Sequence, residues 1–152
     1  ASYYRSQTGY AALADDSGLQ VDGLAGAPGV YSSRWAPTDK QRMARILHQL
    51  RHCSQPEDLP KRSARFVCAV CLDWEQGVIL EMGSVEGQIA LQPSGRSGFG
   101  YDPIFYYPPL QKTFGELPPS QKNKVSHRTR ALTRVKRRLL KLSELNYPIE
   151  FR

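Results

Sequence analysis

With 152 residues, 40% of them hydrophobic and 23% charged, the chain has an ordinary globular composition and is long enough to bury one core. No apolar run reaches the length of a membrane span, and the first residues do not resemble a signal peptide. The net charge of +7 is concentrated, with nine Lys or Arg and no acid between Leu117 and Ser143, which fits either an anionic partner or a solvated helix face.

Ala1 to Gln7 reads as the last turns of a helix stopped by Gly9. Tyr10 to Ala14 is expected to be a short buried strand that delivers Asp15 and Asp16 at its end, ahead of a Gly/Pro-rich loop from Gly23 to Gly29. Thr38-x-x-Gln41 is a capping-box pattern, and Met43, Ile46, Leu47 and Leu50 follow at helical spacing. Gln55 to Pro60 is a loop.

Phe66 to Trp74 is apolar on both faces and reads as a central strand. Glu75-Gln76-Gly77 turns into a second strand, Val78 to Gly83, expected to run on with interruptions to Ala90. Cys68 and Cys71, three apart on a strand, point to opposite faces and do not form a zinc pair. The odd count of three cysteines speaks against a disulfide framework and for a reducing compartment. A glycine-rich loop, Gly95 to Pro103, precedes the apolar stretch Ile104 to Tyr107. A short helical turn starts at Pro118-Pro119-Ser120. Ser126 caps a last helix with Leu132, Val135, Leu139 and Leu142 as its buried stripe. Strands and helices alternate, which favours an α/β sheet covered by helices.

Three constellations carry possible chemistry. Asp15-Asp16-Ser17 leaves a strand with its carboxylates pointing opposite ways, so one of them faces a ligand; a strand-stopping Asx turn is the competing reading. A carboxylate there suits a hard divalent ion and its water. In the loop from Gly95 to Asp102, glycines allow close backbone approach, and Phe99 or Tyr101 offers a stacking face for a flat base. The same loop also fits a plain connection with its aromatics in the core. Ser126-His127-Arg128 opens a helix whose free N–H groups favour an anion or a carbonyl oxygen, with Lys122 just upstream. Donor-only Lys and Arg recognise a 6-oxo group and cannot accept from a 6-amino group.

In this order and spacing the segments resemble the inosine triphosphate pyrophosphatase family. The resemblance is carried by Ala14-Asp15-Asp16-Ser17-Gly18-Leu19, Gly26-Ala27-Pro28-Gly29-Val30-Tyr31-Ser32-Ser33-Arg34, Gly98-Phe99-Gly100-Tyr101-Asp102-Pro103 and Ser126-His127-Arg128. It implies an elongated α/β fold, with a mixed central sheet flanked by helices and a cleft between two lobes. It also implies Mg²⁺-dependent hydrolysis of ITP, dITP and XTP to the monophosphate and pyrophosphate by a cytoplasmic homodimer. On that reading Asp16 is the catalytic acid/base and metal ligand, and Ser17 touches the substrate beside it. Phe99, Gly100, Tyr101 and Asp102 hold the base, with Lys122, His127 and Arg128 completing the nucleotide contacts.

The family's Ser/Thr-x-Asn-x-x-Lys phosphate loop and its metal-binding Glu have no counterpart here, where the asparagines are Asn123 and Asn146 alone. The chain, which begins with Ala1, is therefore expected to be one N-terminally incomplete domain, lacking a strand and part of the first helix. By itself it is expected to be weakly active or inactive. The competing readings are a basic nucleic-acid-binding module and a truncated paralogue without catalysis.

Overall fold

The computed structural model describes residues 1–53 and 55–144. Helix α1 (Ser2–Thr8) ends where Gly9, at φ 73°, turns its N–H back onto Arg5 O. Strands β1 (Ala12–Val21) and β2 (Pro28–Gly29) follow, then helix α2 (Asp39–Gln49), whose Thr38–Gln41 capping box forms as expected. Helix α3 (Leu59–Arg62) leads into β3 (Ser63–Trp74) and β4 (Gly77–Ile89). The short strands β5 (Phe105–Tyr107) and β6 (Lys112–Thr113) come next, and the chain closes with α4 (Pro119–Val125) and α5 (His127–Glu144).

The six strands form one sheet in the order β2-β1-β3-β4-β5-β6, flanked by helices. Every neighbouring pair is antiparallel, where a mixed sheet was expected. The β3–β4 pair is a tight hairpin through Glu75-Gln76, and a two-residue turn joins only antiparallel strands. The helical segment between β1 and β3 likewise reverses the chain.

Two strand expectations need correction. The carboxylates do not end a short buried strand: β1 runs straight through them, paired with β3 from Ala12↔Asp73 to Val21↔Ala64, and Leu13 is exposed. That continuous ladder satisfies the backbone of Asp-Asp-Ser-Gly and overrides its turn preference. Strand β4 is also unbroken to Ile89, because β3 offers it a partner at each residue.

Alternation gives the sheet two unlike faces. On one, Leu19, Val21, Phe66, Val85, Phe105 and Phe114 form a cluster that packs against α2 through Ile46 and Leu50. A second cluster on that face joins Cys68, Val70, Leu72 and Ile79 to Ala131 and Val135 of α5. The α5 stripe therefore starts at Ala131, while Leu132 turns partly to solvent. Helix α5 lies so close to β4 that a side chain at Gly83 would overlap His127 O and Ala131 N. The other face carries Asp16, Val67, Ala69, Leu80 and Met82, with Leu80 and Met82 exposed.

The basic block has a structural use. Strand β5 pairs with β4 only at Gln88 and Ile89, which leaves much of that edge open. Arg130 donates to Ser84 O at 2.9 Å, Arg134 donates to Met82 O, and Arg138 pairs with Glu81 at 3.2 Å. Charged side chains laid along an edge strand block pairing with another chain. Another arginine, Arg62, is buried without a carboxylate. It donates to Ile89 O, Ala90 O, Leu50 O and Cys53 O, tying the end of α2 to the end of β4. No helix among the described residues is long and apolar enough to cross a membrane.

Candidate functional site

The pocket forms where the loop before β5, the start of α5 and the middle of β1 meet beside α2. Its most prominent side chain is Phe99, 65% exposed on a tight turn. The turn is held from inside by Asp102, which is 2% exposed and accepts the Phe99 N–H at 2.8 Å. Gly98, at φ 79°, passes so close that a side chain there would overlap the Asp102 carboxylate. That carboxylate also forms a short ion pair with Lys122, whose Nζ lies 4.6 Å from the centre of the Phe99 ring. An ammonium is thus fixed over the ring of an exposed aromatic side chain, with two of its three N–H donors to spare from that pair.

His127 forms the inner wall. It is 6% exposed and lies nearly parallel to Phe66, with ring centres 4.9 Å apart. Burial, aided by the Arg128 and Lys122 cations, lowers its pKa to about 4, so the imidazole is neutral at physiological pH. Its Nδ1 is buried without a hydrogen-bond partner. An orphaned polar atom in a pocket wall is a place for a ligand atom. Ser126 holds the helix start: its Oγ accepts the Thr129 N–H at 3.3 Å, the N-cap geometry expected from the sequence.

Not every expected residue faces the pocket in the expected way. Tyr101 is buried in the core; its hydroxyl donates to Ser32 O at 2.8 Å, and burial pushes its pKa up to about 12. Tyr101 and Asp102 therefore support the loop from behind, while Phe99 presents the open face. Arg128 reaches back to β1 and grips Asp15 Oδ2 through two nitrogens at 2.8 and 2.9 Å. Ser17 lines the pocket with its Oγ buried and lacking a nitrogen or oxygen partner.

Asp16 stands apart from this group. It points to the opposite face of the sheet and borders a second hollow with Val30, Val67, Ala69 and Met82. Ser17 and Gly18 line both hollows. Between them β1 presents an edge that β2 covers only at Leu19 and Gln20. No group of three or more His, Cys, Asp or Glu able to hold a metal ion exists among the described residues, and Asp15 is engaged by Arg128. Of the two neighbouring carboxylates on β1, Asp16 is thus the one left available. That is too little for a protein-built cage, yet it fits Mg²⁺ arriving on substrate phosphates, because this ion keeps its waters and needs one or two carboxylates.

Sequence reasoning missed two contributors on α2. Asp39 accepts the Gly100 N–H at 2.8 Å, and Arg42 lines the pocket opposite. The capping box already placed Asp39 at the start of a helix, but nothing in the sequence showed that the helix abuts the Phe99 loop.

Comparison with known proteins identifies the family. The Ham1 family model matches residues 1–138. A dITP/XTP pyrophosphatase of Dictyoglomus thermophilum is 44% identical over 140 residues, which cover 90% of this chain and 66% of that protein. The chain thus spans just under two thirds of that relative's length. The structure of a HAM1 protein from Coxiella burnetii superposes with a TM-score of 0.80 at 44% identity, covering 89% of this chain and 70% of the other. The Staphylococcus aureus Ham1 protein gives a TM-score of 0.82 at 36% identity, covering 90% of this chain and 70% of the other. A match this long, shared by sequence and fold and including the Asp-Asp-Ser-Gly strand and the Phe99 loop, places the chain in the Ham1 family.

Proposed function

We propose that the pocket binds the base of a 6-oxo purine nucleoside triphosphate (ITP, dITP or XTP) and that the protein hydrolyses it to the monophosphate and pyrophosphate. The observation that carries this is Lys122, held by Asp102 and placed over the ring of the exposed Phe99. A purine stacked on Phe99 meets an ammonium that only donates. The 6-oxo group accepts from it, whereas the 6-amino group of adenine sets donor against donor. Neutral His127 adds a donor and an acceptor without a second charge. The similarity to a dITP/XTP pyrophosphatase of Dictyoglomus thermophilum supports the same substrate class.

With the base under Phe99, the triphosphate crosses the β1 edge at Ser17–Gly18 toward Asp16. There Asp16 orients the attacking water and takes its proton as the water oxygen bonds to phosphorus. The anhydride bond breaks and pyrophosphate leaves. Asp16 would hold a Mg²⁺ ion, which would supply neutralisation of the phosphate charge. Homodimer formation and a cytoplasmic location rest on the resemblance alone.

The test is pyrophosphate release from ITP, dITP, XTP and ATP in Mg²⁺, with wild type and Asp16→Asn. Asp16 is the available carboxylate of the β1 pair, and the sequence holds no Ser/Thr-x-Asn-x-x-Lys motif, so turnover by this chain is expected to be slow. It is expected to favour 6-oxo substrates and to fall about a hundredfold or more in the variant. Equal rates for ITP and ATP, or full activity in Asp16→Asn, would overturn the proposal.

A further inference from the structure

A loop residue holds a stacking face in place only when the peptides on either side of it are fixed. At Phe99 two carboxylates from different parts of the chain do this. The Phe99 N–H donates inward to Asp102 Oδ2 at 2.8 Å. The next N–H, that of Gly100, donates outward to Asp39 Oδ2, also at 2.8 Å. Asp39 begins α2, and its other oxygen binds Arg42 Nη1 at 2.8 Å. Arg42 in turn donates through Nε to Ala36 O at 2.8 Å, so the carboxylate is itself braced against the α2 entry.

Gly100 has a φ of 62° and no atom within 4 Å of where a side chain would start. Glycine is therefore favoured at this position by its backbone conformation, which turns its N–H toward Asp39, and not by lack of room.

We propose that Asp39 is a positioning residue for nucleotide binding: its carboxylate latches the Gly100 amide and thereby fixes the Phe99 ring against the base. The latch rests on the reading of the pocket as a 6-oxo purine site. It differs from the ordinary role of an acid in the first turn of a helix, which works through charge and is indifferent to Gly100.

Asp39→Ala and Asp39→Asn separate the two roles. Asparagine keeps an oxygen that accepts the Gly100 N–H but loses the charge. The readouts are Gly100 amide exchange by NMR and the dissociation constant for ITP. In Asp39→Ala the Gly100 amide is expected to exchange about tenfold faster or more, while β3 amides stay protected. The dissociation constant is expected to rise about three- to tenfold, the worth of one exposed hydrogen bond to a charged group. Asp39→Asn is expected to restore both.

Unchanged Gly100 exchange in Asp39→Ala overturns the latch, as does asparagine behaving like alanine. Unchanged ITP affinity in Asp39→Ala, beside a wild type that binds, overturns the positioning role alone. A wild type that binds no ITP overturns the base-site reading, and the positioning role with it.

Discussion

At the scale of single residues, the site holds polar groups where water has little access to them. Lys122 is mostly buried, and Asp102, more buried still, is its ion-pair partner. Removing one partner of such a pair strands the other, so each residue is tied to stability as well as to recognition. His127 is the opposite case, kept neutral by burial and by neighbouring cations. Its folded pKa of about 4 lies below the ordinary imidazole value of 6.5, so between those values the unfolded chain binds the extra proton. Stability from this group is present above pH 6.5 and is lost as the pH falls toward 4. The loss is about 3 kcal/mol across the whole window. Ring resonances followed by NMR are expected to show His127 protonating only below about pH 5, and ordinary titration near 6.5 would contradict its placement in the pocket wall. The residue types of this site were legible in the sequence, because a donor-only cation or an exposed aromatic announces its chemistry. Their division of labour was not: Tyr101 and Phe99 lie in one loop, and only packing shows that one enters the core and the other faces the ligand.

At the scale of elements, the close approach of α5 to β4 sets the position of His127 and Arg128. Gly83 makes that approach possible, since a methyl group there would overlap the backbone of α5. Gly83→Ala is expected to lower stability by about 3 kcal/mol, because backbone cannot move aside as a flexible side chain can. Ser84→Ala, one residue on and exposed, is expected to stay within about 0.5 kcal/mol. Urea unfolding of the two variants measures the difference, and equal midpoints would mean that the helix is not seated as described. Capping boxes and helical stripes were readable because they depend on neighbours in sequence. Strand β1 was misread because Asp-Asp-Ser-Gly favours a turn locally, and only the long ladder against β3 outweighs that preference. The α5 stripe was misplaced at Leu132 for a related reason: a small residue, Ala131, fits the close contact where leucine would not.

At the scale of the whole molecule, one sheet separates two hollows that share a strand. The Phe99 pocket lies on the covered face and Asp16 on the open one, with Ser17 and Gly18 bordering both. Period-two alternation in the sequence makes Asp15 and Asp16 diverge, but it does not show that Arg128 claims Asp15 and leaves Asp16 available. It also could not show that much of the basic block lies along the β4 edge, where arginine side chains reach strand carbonyls and a carboxylate. On the proposed reading, base recognition and phosphate chemistry fall on different faces of the molecule, so recognition can be measured without turnover. The most direct test is a calorimetric titration of this chain with IMP and AMP, which share a phosphate and differ in the base at C6 and N1. IMP is expected to bind at least about a hundredfold more tightly, the discrimination available when a buried donor is left unpaired. Equal affinities, or a preference for AMP, would contradict the assignment of the Lys122–Phe99 pocket to a 6-oxo purine.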